Sequence, residues 1–223
     1  GWGIVLEDSS NGNSISGNNV TANKFSGVDL LSSCDSNDIS GNNMTASQSY
    51  GISLEYSSSN DTLSGNNVAN NWCGISFSSS SNNSIFHNSF INNTSQVAHS
   101  PFTGSSNNTW DDGYPSGGNY WSDYNGTDVN TDGIGDTPYV IDENNTDRYP
   151  LLALYGTFDA GTWNGTAYNV GVMTNSTFSG FQVDISQKTI SFNVTGAEGS
   201  TGFCRADRKS TRLELQSHLN LVC

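Results

Sequence analysis

The sequence predicts an all-β protein: a parallel β-helix of about four to five rungs, a cap rich in aromatic residues and Asp, and a small antiparallel β-sandwich. Three observations lead to this prediction. A unit of 23 or 24 residues recurs four times, apolar and polar residues alternate inside it, and Ser, Asn and Gly separate the short apolar runs. Alternation with a period of two is typical of strands, and a repeat of about 20 to 50 residues is typical of a solenoid.

The repeat of residues 1–110 consists of columns of like residues. Each unit starts with a glycine before an apolar residue, in steps of 24, 24 and 23 residues, at Gly3, Gly27, Gly51 and Gly74. An apolar column and an asparagine column follow, and they contain Ile15, Ile39, Leu63 and Ile85, and Asn18, Asn42, Asn66 and Asn88. Rungs of a β-helix stack about 4.8 Å apart. We therefore expect the apolar column to fill one interior file and the asparagines to form a ladder of amide hydrogen bonds.

The units resemble the NosD-type right-handed β-helix repeats over roughly residues 1–150. That family is named for a periplasmic copper-associated protein and is common in secreted and archaeal surface proteins. The resemblance implies a right-handed coil and an extracellular, cell-surface or periplasmic location. Its repeat motif indicates the fold far more strongly than an activity. A leucine-rich repeat, the competing solenoid, is disfavoured because it needs helix formers in the second half of each unit.

Composition indicates an exported, acidic protein. The formal net charge of -14 disfavours nucleic acid and anionic membranes as partners, because phosphate groups are bound by clustered Lys and Arg. No apolar run approaches the ~18 residues that a membrane-spanning helix needs. Many Asn-x-Ser/Thr sequons, for example at Asn19 and Asn43, fit a glycoprotein, although a chain this rich in Asn, Ser and Thr also produces them by accident. Cys34 and Cys73 fall in different columns, so no disulfide is expected between them.

Residues 111–150 are predicted to cap the β-helix around a calcium loop. The expected ligands are Asp128, Asn130, Asp132, the backbone carbonyl of Ile134 and Asp136, with Asp123 or Asp142 completing the shell. Their spacing, with Gly133 at the sharp turn, reproduces the start of an EF-hand loop. Tyr139 stands where a bidentate Glu belongs, so the loop more closely resembles dockerin-like or thrombospondin-type calcium loops. The ion would stabilise the cap rather than catalyse a reaction, and the alternative is a solvated acidic turn.

A second module, a β-sandwich, is predicted over residues 151–205. Four strand-like runs cover residues 156–160, 167–174, 177–183 and 188–194, and Asn164 with Gly165 favours a type I′ hairpin turn. The predicted sandwich stops one strand short, after Arg205. Residues 206–223 resemble two reading frames of a sequencing-library adapter joined by a one-base slip. We interpret them as an artefactual tail from a metagenomic read, against the alternative of a short native helix, and the start of the chain inside a rung as a missing N-terminus.

For function, the sequence favours a non-catalytic surface protein whose β-helix acts as a rigid rod or contacts a cell-surface polysaccharide. Trp2 and Tyr50 share an outward column and could stack on sugar rings. Lys24 is the only Lys or Arg between residues 1 and 147. A lyase or epimerase is therefore disfavoured, because these enzymes neutralise a uronate carboxylate with cations.

An inverting polysaccharide hydrolase is an alternative. Such an enzyme needs two carboxyl groups about 6.5 to 9.5 Å apart, and ideal strand spacings place Asp29 roughly 8 Å from both Glu7 and Glu55. Outward carboxylates in an acidic protein are otherwise simply solvated, so the two interpretations stay open at this point.

A copper-handling protein is a second alternative, implied only by the name of the resembling family. A copper site needs several soft or imidazole ligands close together. The sequence offers few such residues outside the tail, and they are scattered, as Met44, His87 and His99. Copper is therefore not expected.

Overall fold

The computed structural model describes residues 1–99, 106–163, 166–174, 176–184, 189–195 and 204–209. Throughout these ranges the regular secondary structure consists of β-strands, without a helix, which confirms the predicted all-β class. It follows that no helix in the described part of the chain is long and apolar enough to cross a membrane. The chain divides into two compact units. The first contains Gly1–Thr127 and Ile134–Leu151, and the second contains Asp128–Gly133 and Leu152–Cys223.

The first unit is a parallel β-helix with three sheets, named here sheets 1, 2 and 3. Sheet 1 has five strands in the order β1 (Ile4–Leu6), β4 (Val28–Leu31), β7 (Tyr50–Glu55), β10 (Cys73–Ser78) and β13 (Ser95–His99). Sheet 2 has four strands in the order β2 (Ser14–Ser16), β5 (Asp38–Ser40), β8 (Thr62–Ser64) and β11 (Ser84–Phe86). Sheet 3 has five strands in the order β3 (Asn19–Thr21), β6 (Asn43–Thr45), β9 (Asn67–Ala69), β12 (Ser89–Ile91) and β14 (Tyr120–Trp121). A short antiparallel pair, β15 (Tyr139–Val140) and β16 (Thr146–Asp147), follows in the cap segment.

The residues of the apolar column lie directly above one another on successive rungs, as the repeat predicts. Ile15 pairs with Ile39, and Leu63 pairs with both Ile39 and Ile85. These four side chains are between 0 and 7% exposed and lie in one interior file. Adjacent rungs pair in parallel throughout the three sheets. The stack therefore buries its apolar side only by placing each rung on its neighbour.

The glycine that starts each unit is required by close packing between rungs. A Cβ atom on Gly27 would lie 2.7 Å from the carbonyl oxygen of Gly51, and one on Gly51 would lie 2.8 Å from that of Gly74. Because a Cβ atom cannot approach a backbone oxygen so closely, any other residue would push the rungs apart.

Ladders of polar side chains run along the β-helix within the described residues, and three of them are largely buried. The Asn18 ladder consists of Asn18, Asn42, Asn66, Asn88 and Asn119, and ends on Asp147. The Asn13 ladder consists of Asn13, Asn37, Asp61, Asn83, Asn108 and Asn145. The Asn71 ladder consists of Asn71, Asn93, Gln96 and Ser122. The first confirms the predicted amide ladder, and sequence reasoning missed the other two.

In the Asn18 ladder each asparagine oxygen from Asn42 to Asn119 accepts two hydrogen bonds from the rung before. The Oδ1 atom of Asn66, for example, accepts hydrogen bonds from the backbone N–H of Asn42 at 3.0 Å and from its Nδ2 at 3.1 Å. Asn66 then donates its own Nδ2 to Asn88 Oδ1 at 2.8 Å and to the carbonyl of Ile39 at 2.7 Å. A buried amide that donates and accepts in this way leaves no polar atom without a partner.

Two buried tryptophans close the core beyond the fourth rung. Trp110 and Trp121 are 0% and 1% exposed, and their ring centroids lie 5.7 Å apart. Their indole N–H groups donate to Asn145 Oδ1 at 3.0 Å and to Asp147 Oδ2 at 2.9 Å. Residues 145–147 therefore end two ladders and hold both rings, which gives the aromatic cap that the sequence predicts.

The second unit contains two small antiparallel sheets. One has three strands in the order β17 (Tyr155–Trp163), β18 (Thr166–Thr174) and β21 (Cys204–Lys209), and the other pairs β19 (Thr177–Asp184) with β20 (Thr189–Thr195). The rings of Phe158 and Phe181 stack at 4.9 Å and link β17 to β19. The four predicted strands are confirmed, each with slightly different ends.

Strand β21 includes residues 206–209 of the predicted tail. Residues 210–223 and the Asn164–Gly165 turn lie outside the described residues. The artefactual tail, the hairpin turn and the domain limits 1–110, 111–150, 151–205 and 206–223 therefore stay predictions.

Candidate functional site: the outer face of sheet 1

An exposed stripe of four aromatic side chains runs along the edge of sheet 1, with one ring from each rung. We call it the aromatic stripe, and it consists of Trp2, Phe25, Tyr50 and Trp72. Trp2, Phe25 and Trp72 are 52%, 40% and 55% exposed, and Tyr50 is half-buried. The centroids of Trp2 and Phe25 lie 4.6 Å apart, and those of Tyr50 and Trp72 lie 5.8 Å apart. The stripe therefore forms two ring pairs on successive rungs.

Sequence reasoning found only half of this stripe. Trp2 and Tyr50 were expected in one outward column because each immediately precedes the glycine of its unit. Phe25 and Trp72 precede their glycines by two positions, so a strict column search places them elsewhere. The signal that would have found them is one aromatic residue within two positions of every unit's glycine.

Asp29 lies on the outer face of sheet 1 beside this stripe. It pairs with Val5 on one side and Ser53 on the other. Although its column faces outward, Asp29 is only 4% exposed, so the expected solvated carboxylate is not found. Among the described residues, its Oδ1 atom is buried and accepts no hydrogen bond. An oxygen in this state is costly for a charged carboxylate.

The surroundings of Asp29 favour its neutral form. Burial raises the pKa of Asp29 most, to about 7, and the negative charge of Glu55 adds to the rise, with a smaller addition from Glu7. Contacts with the Ser26 hydroxyl and the Trp2 indole lower the pKa by less. The structure therefore brings the three predicted carboxyl groups close enough to interact. With a pKa of about 7, Asp29 keeps its proton in about half of the molecules at neutral pH.

Glu55 is held in place from the same sheet. Its Oε1 atom accepts a hydrogen bond of 2.9 Å from the Ser53 hydroxyl. Ser53 is fully buried and lies directly between Asp29 and Ser76 in the outward column. The site thus combines a buried, partly protonated acid, an oriented carboxylate and exposed ring faces, which together suit a ligand with hydroxyl groups and apolar C–H faces.

In the predicted calcium loop, side-chain oxygens accept hydrogen bonds from backbone N–H groups of the same loop. Asp128 Oδ1 accepts a hydrogen bond from the Asp132 N–H at 3.2 Å, and its Oδ2 accepts one from the Gly133 N–H at 2.8 Å. Asn130 donates its Nδ2 to Asp132 Oδ2 at 3.1 Å. Oxygen donors of the expected type are therefore gathered in residues 128–133. The other two expected ligands, Ile134 and Asp136, belong to the unit that contains the β-helix. Ile134 is buried there, and the N–H of Asp136 donates a hydrogen bond to the carbonyl oxygen of Thr127.

The two additional calcium ligands that the sequence suggests have protein partners. Asp123 accepts hydrogen bonds from the Tyr139 hydroxyl at 3.2 and 3.3 Å. Asp142 accepts bonds from the Asn144 N–H and from Asn145 Nδ2, at 2.7 and 2.9 Å. Within the described residues, no three His, Cys, Asp or Glu side chains are grouped as a metal site would group them. The calcium loop stays a prediction.

The described soft and imidazole ligands do not fit a copper site. Met44 is fully buried in the interior of the β-helix. His87 is 2% exposed, and its Nε2 atom lies 3.0 Å from the carbonyl oxygen of Ser116. The side chain of His99 lies outside the described residues. Cys34 and Cys73 are buried free thiols, and burial raises the pKa of Cys73 to about 12, which opposes the thiolate that a metal needs.

The stacked rungs and amide ladders define a parallel β-helix repeat protein. Within this class the chain belongs to the NosD family: the family model described as "Periplasmic copper-binding protein (NosD)" matches residues 1–126. No curated protein matches the chain significantly.

Solved structures of the periplasmic alginate epimerase AlgG are also similar to the chain. The match has 25% sequence identity and a TM-score of 0.43, and it covers 48% of this chain and 29% of the epimerase. A mutant of the same enzyme matches with a TM-score of 0.44 and the same coverage. The chain therefore spans less than a third of the epimerase's length.

Proposed function

We propose that this protein is an exported, non-catalytic β-helix that binds polysaccharide through the outer face of sheet 1. The aromatic stripe is the observation that carries the proposal. Three of its rings are at least 40% exposed in a chain that is otherwise rich in small polar residues. Contiguous exposed apolar surface commonly marks a binding site. Flat rings beside carboxyl and hydroxyl groups suit a sugar, because its C–H face stacks on the rings while its hydroxyl groups form hydrogen bonds.

The exported location is supported by the family. The family's description is that of a periplasmic protein, and the acidic composition of this chain fits such a location. A cell-surface position and glycosylation of the sequons are part of the proposal. One sequon is disfavoured, because Asn93 is buried in the Asn71 ladder and donates its amide to the Val68 carbonyl and to Gln96.

The binding proposal is tested by removing single rings. We expect Trp2→Ala and Trp72→Ala each to weaken polysaccharide binding by roughly tenfold, or about 1.4 kcal/mol. Binding is measured by affinity electrophoresis and titration calorimetry against a panel of soluble glucans, mannans and xylans. Tyr114→Ala is the matched control, because Tyr114 is 59% exposed in the cap segment and is not part of the stripe. Losses no greater than that of the control, with unchanged melting temperatures, would contradict the proposal.

A polysaccharide hydrolase is a second candidate, favoured by one observation. Asp29 is a buried acid with a raised pKa beside the oriented carboxylate of Glu55, and a general acid next to a general base is the arrangement of an inverting hydrolase. The same polysaccharide panel is assayed for reducing ends. Release of sugars that Asp29→Asn abolishes without weakening binding would establish the enzyme, and binding without release supports the non-catalytic role.

We also propose that calcium stabilises the loop of residues 128–136. Oxygen ligands from Asp128, Asn130 and Asp132 support this, and extracellular calcium modules bind with Kd values of ~10⁻⁴ to 10⁻³ M. At about 1 mM calcium, such a site would add about 0.4 to 1.4 kcal/mol of stability. Thermal unfolding with calcium or with chelator measures this gain. Asp132→Ala should abolish the gain, whereas the exposed control Asp38→Ala should keep it, and an equal gain in both variants would refute the site.

A further inference from the structure

We propose that the ligand of sheet 1 is an uncharged polysaccharide whose chain runs along the axis of the β-helix, across successive rungs. This inference rests on the proposed function, because it names the class and the direction of the ligand at the same site. Three features support it: the spacing of the aromatic stripe, the charge of the surface beside it and the unpartnered oxygen of Asp29.

The stripe follows the helix axis rather than the strand direction. Its rings come from four consecutive rungs, and rungs are spaced by about 4.8 Å. Trp2 and Tyr50 occupy the same position in their units and are two rungs apart, or about 9.6 Å. Phe25 and Trp72 occupy a neighbouring position in their units. Phe25 comes from the rung between those of Trp2 and Tyr50, and Trp72 comes from the rung after that of Tyr50. Each sugar of an extended β-linked chain advances by roughly one rung, so every second sugar would meet an equivalent ring.

The surface beside the stripe disfavours an anionic chain. Glu7 and Glu55 each interact with Asp29. Lys24, the only Lys or Arg between residues 1 and 147, places its ammonium 5.7 Å from the centroid of the Phe25 ring. Even with Asp29 neutral, two glutamates against one ammonium leave a net negative surface, which repels uronate or sulfate groups. A neutral sugar does not meet this repulsion.

The carboxyl group of Asp29 holds an oxygen that a sugar hydroxyl could satisfy. Oδ1 is buried and, within the described residues, accepts no hydrogen bond. A ligand hydroxyl reaches this buried oxygen only after a covering side chain moves, and the new hydrogen bond then satisfies an atom that had no partner. A hydroxyl group suits this position in both protonation states of Asp29, because it can donate or accept. A carboxylate on the ligand cannot donate.

The charge claim is tested with a matched pair of ligands. Hyaluronate and its carboxyl-reduced, neutral form share one β-linked backbone and differ in charge. At low salt we expect the neutral form to bind at least about tenfold more tightly, and added salt to narrow the gap by screening. The double variant Glu7→Gln with Glu55→Gln should improve binding of the charged form alone, whereas the distant control Asp38→Asn should change neither. Equal or tighter binding of the charged form to the native protein would overturn the inference.

The direction claim is tested with cello-oligosaccharides of two to six units. We expect affinity to increase up to about four sugars, the number of rungs that the stripe spans, and then to level off. Both Trp2→Ala and Trp72→Ala should weaken binding of one tetrasaccharide in a 1:1 complex. If only one of the two substitutions weakens binding, the bound sugar chain does not cross the rungs. The inference is then wrong, although the proposed function stands. If no oligosaccharide or polysaccharide binds, the proposed function itself is wrong.

Discussion

The Asn18 ladder and the Asn13 ladder use the same hydrogen bonds, but they carry their carboxylates at different places. In the Asn18 ladder the carboxylate is the last member: Asp147 accepts from the Asn119 N–H at 2.7 Å, and from Trp121. In the Asn13 ladder it is an interior member: Asp61 Oδ1 accepts from the backbone N–H and Nδ2 of Asn37. Within the described residues, Asp61 Oδ2 is buried and has no partner.

The difference shows what each ladder position requires. An interior member must accept from one rung and donate to the next, which an amide does and an ionised carboxylate cannot. The last member needs only to accept, so a carboxylate suits it. Both acids are buried, and burial is the largest cause that raises the pKa of Asp61 to about 6 and that of Asp147 to about 7. For Asp61 the bonds from Asn37 oppose the rise, and for Asp147 those from Asn119, Trp121 and Tyr149 do.

The largest effect is expected from breaking the interior of the Asn18 ladder. Asn66→Ala removes the acceptor for the N–H and Nδ2 groups of Asn42 and the donor to Asn88. Each buried polar group left without a partner costs about 1 to 3 kcal/mol. We expect the free energy of unfolding, measured by urea denaturation, to fall by about 3 kcal/mol or more.

The neighbouring amide provides the matched control for this variant. Asn67 is partly exposed, and its side chain donates to Asn43 Oδ1 on the outer side of the turn. Asn67→Ala should cost less than about 1 kcal/mol, because water can replace that bond. Equal losses in the two variants would show that the buried ladder is not a major source of stability.

The next effect comes from replacing the terminal acid by an amide. Asp147 accepts through both oxygens, from Asn119 and Trp121 on Oδ2 and from the Tyr149 N–H on Oδ1. Asp147→Asn turns one acceptor into an N–H group that faces another donor. We expect a loss of about 1 to 3 kcal/mol in the free energy of unfolding at pH 7.5. An unchanged free energy of unfolding would mean that the last position of the ladder tolerates an N–H donor in place of a carboxylate oxygen.

The same substitution in the interior should act in the opposite direction. Asp61→Asn supplies the missing N–H group, which can donate to Asn83 Oδ1 as the amides of the other rungs do. We expect a gain of about 1 kcal/mol at pH 7.5, measured in the same denaturation experiment. Loss of stability in this variant would refute the distinction between interior and terminal positions.

The smallest effect is the pH dependence of that gain. The pKa of Asp61 in the folded protein is about 6, above the value of about 3.9 for an unfolded Asp. Asp61 therefore adds stability below the unfolded pKa, and this contribution is lost as the pH rises through about 6. The advantage of Asp61→Asn over the native protein should shrink by at least about half between pH 7.5 and pH 4.5. Because Asp29 and Asp147 titrate in both proteins, their contributions cancel, and a constant difference would contradict an ionised Asp61 at neutral pH.

The repeat predicted one ladder and missed the other for a chemical reason. Asn18, Asn42, Asn66 and Asn88 are identical and are visible as a column. The Asn13 column is equally regular, two positions before the apolar file, but Asp61 interrupts it. Identity marks a column in a sequence, whereas Asp61 continues the ladder because its carboxylate oxygen accepts the same two hydrogen bonds that an amide oxygen would.

The candidate site on the outer face of sheet 1 also has features that the repeat alone does not predict. The alternation of residues placed Asp29, Glu7 and Glu55 on one outward face. It did not show that Asp29 is 4% exposed. That burial depends on side chains such as Trp2, which comes from the adjacent rung and lies 27 positions earlier in the chain. The calcium loop is a local pattern, and its ligand set stays a prediction.

The sequence by itself determined the rung length, the stacking register and the interior columns, because a strict repeat can bury its apolar residues in only one alignment. Only the tertiary structure decided which polar atoms find partners: Asp147 at the end of a ladder, and Asp61 and Asp29 each with an oxygen left over. The reason is physical. Register depends on residues one repeat apart, whereas hydrogen-bond satisfaction and burial depend on every side chain that the coil brings to the same point.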